Sequence, residues 1–194
     1  MPTLAERADY YHAAFPDYPP LCATDRWLYG MWMMGNNYRG SGYHGAFPPS
    51  FLRRVMCLFP EAEDILHLFS GSLTDDVAGD RMDINPGLNP DIVGDAETLS
   101  QHVSKQYDLI IADPPYTAED ADHYGTTMVN RNKVVKECYQ VLKPGGYLVW
   151  LDMVYPMYAK REMQLVGTIG IVRSTNHRVR CVFIYQKVGS GAAS

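Results

Sequence analysis

The stretch from Tyr107 to Tyr116, YDLIIADPPY, limits what this chain can fold into more than any other. The unbroken apolar run Leu109, Ile110, Ile111 and Ala112 suits a strand buried on both faces, as in the interior of a parallel sheet. Pro114 and Pro115 end that strand, because proline has no N–H to give to a ladder. Asp113 is therefore set at the strand's carboxyl end. Ligands of open parallel α/β sheets bind outside that end, so an acid there is a candidate functional group by position alone.

The elements on either side agree with such a sheet. Pro49 to Phe59 reads as a helix with Ser50 as N-cap and Phe51, Leu52, Val55, Leu58 and Phe59 along one side. DILHLF, DVAGDRMDINP and PDIVGDA read as three strands, the second stopped by Pro86, and ETLSQHVSK as a short helix. After YDLIIA come a helix over Met128 to Leu142, closed by Lys143, Pro144 and Gly145, and the strand GYLVWLD. QLVGTIGIVRS and RVRCVFIYQK, separated by the polar TNH, predict an antiparallel hairpin. The fold class that follows is α/β, a mostly parallel sheet whose C-terminal antiparallel hairpin forms one edge.

With 194 residues, 46% of them hydrophobic, the chain suits a single domain over residues 1–194, in which residues 1–50 form an aromatic-rich N-terminal segment. No apolar run approaches the roughly 18 residues of a membrane span, and the N-terminus lacks the features of a secretory signal. The expectation is a soluble, cytoplasmic protein without a membrane partner. Cys22, Cys57, Cys138 and Cys181 are dispersed, with no C-x-x-C pair, so neither a metal cluster nor a disulfide framework is indicated. The net charge of −5 argues against a general nucleic-acid binder and leaves room for a local basic face.

Five motifs now acquire a context: YHGAFPPSFLRRV from Tyr43, LFSGS at Leu68 to Ser72, DINP at Asp83 to Pro86, GDAETL at Gly94 to Leu99 and DPPY at Asp113 to Tyr116. In this order the chain resembles the class I S-adenosylmethionine-dependent methyltransferases, with their Rossmann-like fold. Within them it is similar to the DNA amino-methyltransferases that modify N6 of adenine or N4 of cytosine. The resemblance spans roughly residues 43 to 153. It implies S-adenosylmethionine as cofactor, a nucleic-acid partner and no metal.

The resemblance also assigns roles. Leu68, Phe69, Ser70, Gly71 and Ser72 would let backbone approach the methionine part of the cofactor closely. Asp83 would accept hydrogen bonds from the ribose hydroxyls, Ile84 would pack on the adenine, and Asp95 with Ala96 would meet the adenine amine. Phe47 and Pro48 belong to the additional cofactor motif, although an aromatic and a proline ahead of a helix also make a hydrophobic staple. An exocyclic amine is a poor nucleophile because its lone pair is delocalised into the ring. Asp113 and the carbonyl of Pro114, held rigid by Pro115, would orient it, and Tyr116 would stack on the extruded base.

Two places depart from the family pattern. His67 and Leu73 stand where an acid and a glycine are usual, and the spacing from Gly71 to Asp83 leaves too little chain for a full helix. His67 reads as a core or loop histidine rather than a base. No segment is long enough for a separate target-recognition domain, so recognition would fall to the N-terminus, the loop TAEDADHYGTTMVNRNK, in which His123 and Tyr124 would close over the site, and the hairpin turn. Arg39, Arg131, Lys133, Arg173, Arg178 and Arg180 are candidate phosphate contacts. Adenine in DNA is the expected target, because Asp heads the tetrapeptide. An RNA base and a catalytically silent scaffold are the alternatives. The Trp, Tyr and Met content of Trp27 to Tyr38 would be costly to leave in water, and a homodimer would cover it.

Overall fold

The computed structural model describes residues 1–34, 47, 50–115, 128–173 and 179–189. They form helices α1 (Leu4–Ala14), α2 (Phe51–Leu58) and α3 (Arg131–Val141), and strands β1 (Cys22–Ala23), β2 (Leu28–Met34), β3 (Ile65–Leu68), β4 (Asp80–Asp83), β5 (Ile92–Val93), β6 (Tyr107–Ala112), β7 (Leu142–Asp152), β8 (Met163–Arg173) and β9 (Arg180–Lys187). All nine strands join one sheet in the order β1-β2-β8-β9-β7-β6-β3-β4-β5. Strands β3 to β7 are mutually parallel, while β9 runs antiparallel between β7 and β8. The C-terminal hairpin thus lies inside the sheet. β2 pairs parallel with β8, and the short β1 closes that side.

The apolar run of β6 behaves as its pattern requires: Leu109, Ile110, Ile111 and Ala112 are wholly buried between neighbours β3 and β7. Each of the three large side chains contributes about 2 kcal/mol by leaving water. Alternate residues feed two cores. Ile65, Leu109, Ile111 and Val149 face Tyr11, Trp32, Phe51, Val55 and Leu58. Leu66, Ile110, Leu148 and Trp150 face Leu99 and the α3 residues Val134, Val135 and Cys138.

Several sequence expectations shift. β4 and β5 are shorter than the apolar stretches suggested, and residues 96–101 make a 3-10 turn with a non-helical Thr98 rather than an α-helix. α3 starts at Arg131, and β7 takes in Leu142 to Gly145, because Leu142 already pairs with Tyr107 across a register shift. Ser50 does precede α2, but in a left-handed conformation with no side-chain cap bond. Between β3 and β4 there is no helix, only turns through residues 71–79, as the short spacing required.

Residues 1–34 of the N-terminal segment are structured. α1 begins with a capping box in which Glu6 N–H donates to Thr3 Oγ1 (3.2 Å) and Thr3 N–H donates to Glu6 Oε2 (2.7 Å). Two buried arginines join it to the rest. Arg7 donates to the Leu58 carbonyl and to Glu61 Oε1 (2.5 Å), while Arg54 donates to the Tyr11 hydroxyl and to the Met33 carbonyl (3.2 Å). The Arg54 guanidinium lies 4.4 Å from the centre of the Tyr18 ring and 4.7 Å from that of Phe15. Leu28, Trp32 and Met34 are buried, whereas Trp27, Tyr29, Met31 and Met33 remain exposed.

Candidate functional site

From β3 the chain steps outward through β4 and β5, then returns to place β6 on the opposite side of β3. Such a reversal opens a crevice outside the carboxyl ends of the two central strands. Leu68 pairs with Ala112, and Ala112 with Trp150, so these ends are level. One step further on, the turn Phe69 to Ser72 leaves β3 and Asp113 leaves β6, side by side across the crevice.

The turn is tightly built. Phe69 (φ 56°) and Gly71 (φ 54°) both take the left-handed conformation, which costs little only at the glycine. Ser70 is buried, and its N–H donates to the Met82 carbonyl (3.1 Å). The Gly71 N–H donates to Asp83 Oδ2 (2.9 Å). Asp83 Oδ1 accepts from the Asn85 N–H (2.9 Å), and the Asp83 carbonyl accepts from the Gly94 N–H (3.1 Å). Asp83 at the end of β4 thus gathers the turn after β3 through its half-buried carboxylate and the chain after β5 through its backbone carbonyl. A carboxylate has about four acceptor positions, so two remain for a ligand.

Beside it are two bare apolar side chains, Ile84 and Val93, each 51% exposed. Asp95 is exposed, and its Oδ1 caps the 3-10 turn at the Glu97 N–H (2.8 Å). The side chains of Leu68 and Ala96 belong to the core, leaving only their backbone for a ligand. Phe47 is also buried, stacked on Phe51 (5.7 Å between centroids) and edge-on to His67 (6.0 Å). Pro48 and Tyr116 lie outside the described residues.

His67 is a core histidine, as its sequence context suggested. It has no exposure, its Nε2 pairs with the Ala78 carbonyl (2.9 Å), and burial holds its pKa below the ordinary histidine value. The neutral ring then carries its proton on Nε2. Asp113 is half-buried, engages a group of the protein, and is followed by the buried Pro114 and Pro115.

The comparisons with known proteins bear on the fold. No protein-family model matches the sequence, and no curated protein matches it. Among solved structures, TrmN from Thermus thermophilus superposes with a TM-score of 0.55 at 16% identity, over 75% of this chain and 50% of that one. The fold is that of the class I methyltransferases. A methyltransferase from Pyrococcus furiosus (TM-score 0.46, 13% identity, 75% and 87% of the two chains) and an rRNA methylase from Streptococcus thermophilus (0.44, 11%, 65% and 87%) are also similar. The chain spans half the length of the Thermus protein.

The basic residues expected at phosphates divide within this methyltransferase fold. Arg131 is used internally: its Nε donates to Asp152 Oδ2 (2.6 Å), a carboxylate with no exposure at the end of β7. Lys133 pairs with Glu97 (3.4 Å). Arg180 is half-buried and engages a neighbour of its own, while Arg39, His123, Tyr124 and Arg178 lie outside the described residues, as does the side chain of Arg173. Asp152 went unnoticed in the sequence, where it reads as the last residue of an apolar strand. Its only signal there was the position it shares with Asp113, an acid just past a buried run.

Proposed function

We propose that the chain is an S-adenosylmethionine-dependent methyltransferase acting on an exocyclic amine of a nucleic-acid base. The observation that carries this reading is the Leu68–Ala112 register, which sets the Ser70 to Ser72 turn and Asp113 at one height across the switch crevice. The residues on the β3 side suit the cofactor. Ile84 and Val93 offer an apolar shelf to a purine, Asp83 beside them retains acceptor positions for a ribose diol, and the tight turn admits close approach of backbone. Bound S-adenosylmethionine would supply an electrophilic methyl group.

On the β6 side, Asp113 and the Pro114 carbonyl accept hydrogen bonds from the target amine and turn its lone pair toward the cofactor. Tyr116 stacks on the base, which has to leave a duplex to reach the crevice. Adenine N6 in DNA is the target that the Asp-headed tetrapeptide favours. An RNA base is the second reading, since its exocyclic amines would present the same chemistry to Asp113 and the Pro114 carbonyl. Self-association would run through the exposed Tyr29, Met31 and Met33 of β2. A monomeric mass by light scattering removes that part of the proposal.

The test is nucleoside mass spectrometry after incubation with labelled cofactor and mixed DNA and RNA. Labelled N6-methyladenine in the DNA fraction is expected. Label in RNA alone selects the second reading. Cofactor binding with no label in either pool makes the chain a silent scaffold.

A further inference from the structure

Three consecutive residues at the start of α3 each hold a different element at the carboxyl edge of the sheet. Asn130, the N-cap, donates its N–H to Glu97 Oε1 (2.7 Å), two residues beyond Asp95 on the cofactor side. Arg131 grips Asp152 at the end of β7, with Nε 2.6 Å from Oδ2 and Nη2 3.4 Å from Oδ1. Asn132 Oδ1 accepts the Met157 N–H (2.8 Å) from the segment that follows β7. The central contact is the most deeply set. Asp152 has no exposure and also accepts from Trp150 Nε1 (3.3 Å) and from the N–H groups of Met153 (2.7 Å) and Val154 (3.3 Å), so its orientation is fully determined.

A guanidinium fork meeting a buried carboxylate along two N–H bonds fixes direction as well as distance. A lysine supplies charge without that direction. Residues 128–131 are also where the chain comes back after the tetrapeptide at 113–116, one strand away from Asp152.

We infer that Arg131 is a positioning residue for the methyl-transfer site: seated on Asp152, it holds the return of the catalytic segment to the end of β7 and, through Asn130 and Glu97, to the cofactor side. This rests on the reading of the crevice as that site. The role of Arg131 is mechanical, since it acts through where residues 128–131 are held. Geometric errors of about 1 Å cost on the order of a hundredfold in rate, so a small release at this point would be felt in turnover.

The experiment is hydrogen–deuterium exchange on wild type, Arg131→Gln and Arg131→Lys, with and without S-adenosylmethionine, beside single-turnover methyl transfer. Without cofactor, amides of 128–133 exchange at least about tenfold faster in Arg131→Gln, those of β3 and β6 are unchanged, and Arg131→Lys falls between. With cofactor, protection spreads from 69–72 and 94–97 to 128–133 in wild type only. The transfer rate falls about a hundredfold in Arg131→Gln with cofactor affinity within about twofold of wild type, and Arg131→Lys recovers part of the rate. Should the Gln variant be too unstable to measure, Arg131→Lys alone decides, with about threefold faster exchange expected. Equal exchange at 128–133 in wild type and the variants overturns the inference. Absence of cofactor protection at 69–72 in wild type instead overturns the proposed function, and the cofactor-free comparison still judges the role of Arg131.

Discussion

The two ends of the parallel strands carry the same residue type and use it in opposite ways. At the amino ends, the acids are matched with lysines: Lys143 Nζ sits 2.7 Å from Asp64 and 2.9 Å from Asp108, and Lys105 Nζ sits 3.0 Å from Asp80. Asp80 also accepts from the Tyr107 hydroxyl (2.8 Å), and burial with that neighbour raises the tyrosine's pKa. At the carboxyl ends, Asp152 is gripped by Arg131, but Asp83 and Asp95 on the candidate cofactor side are held by backbone N–H groups, and among the described residues no lysine or arginine pairs with either. A lysine neutralises a carboxylate and occupies it. A backbone N–H orients the carboxylate and leaves its charge and remaining lone pairs to a ligand. The difference separates acids that hold strands together from acids available for chemistry.

The sharpest way to break this division is Asp113→Ala. We expect transfer to fall at least about a thousandfold, roughly 4 kcal/mol of transition-state stabilisation, with cofactor affinity nearly unchanged. Full activity in a single-turnover assay of this variant would remove Asp113 from the mechanism. Asp83→Ala should come next, weakening cofactor binding by about 1.5 to 3 kcal/mol in calorimetry, because a charged acceptor is lost and the Gly71 turn is released. Unchanged affinity would make Asp83 an acid of the structural kind.

At the other end, Lys143→Met should lower the melting temperature by no more than a few degrees and leave transfer intact, since Lys143 and its nearest partner Asp64 are both more than a third exposed. Loss of activity there would erase the contrast. The smallest effect is in the acid range. The Lys143 ammonium holds the Asp64 carboxyl below its ordinary value of 3.8. The stability this gives is complete above that pH and is lost as pH falls through the depressed folded value. The melting curves of wild type and Lys143→Met should therefore converge below about pH 4, and a constant gap down to pH 2 would show that the pair does not titrate.

Legibility in the sequence followed the range of the forces involved. Leu109 to Ala112 read as a central strand because burial on both faces demands an unbroken apolar run, and the missing helix after β3 could be counted from the spacing between Gly71 and Asp83. The capping box Thr3-x-x-Glu6 at the start of α1 was present in the sequence and went unread. β2, almost wholly apolar from Leu28 to Met34, shows its alternation of buried Leu28, Trp32 and Met34 with exposed Tyr29, Met31 and Met33 only in the structure. Arg54 could not be read at all. An arginine in the middle of a helix looks solvent-facing until the rings of Tyr11, Phe15, Tyr18 and Trp32, distant in sequence, close around it.

By itself the sequence determined where strands stop and which acids stand just beyond them, because proline, glycine and an unbroken apolar run act within a few residues of the positions they govern. Which of those acids would be occupied was a tertiary decision. Asp83 meets Gly71, Asp64 meets Lys143 and Asp152 meets Arg131 only after strand order and register have been set. Those are settled by side chains meeting across the sheet, where the cost of leaving a buried charge or N–H unpaired selects one arrangement among many that the local pattern allows.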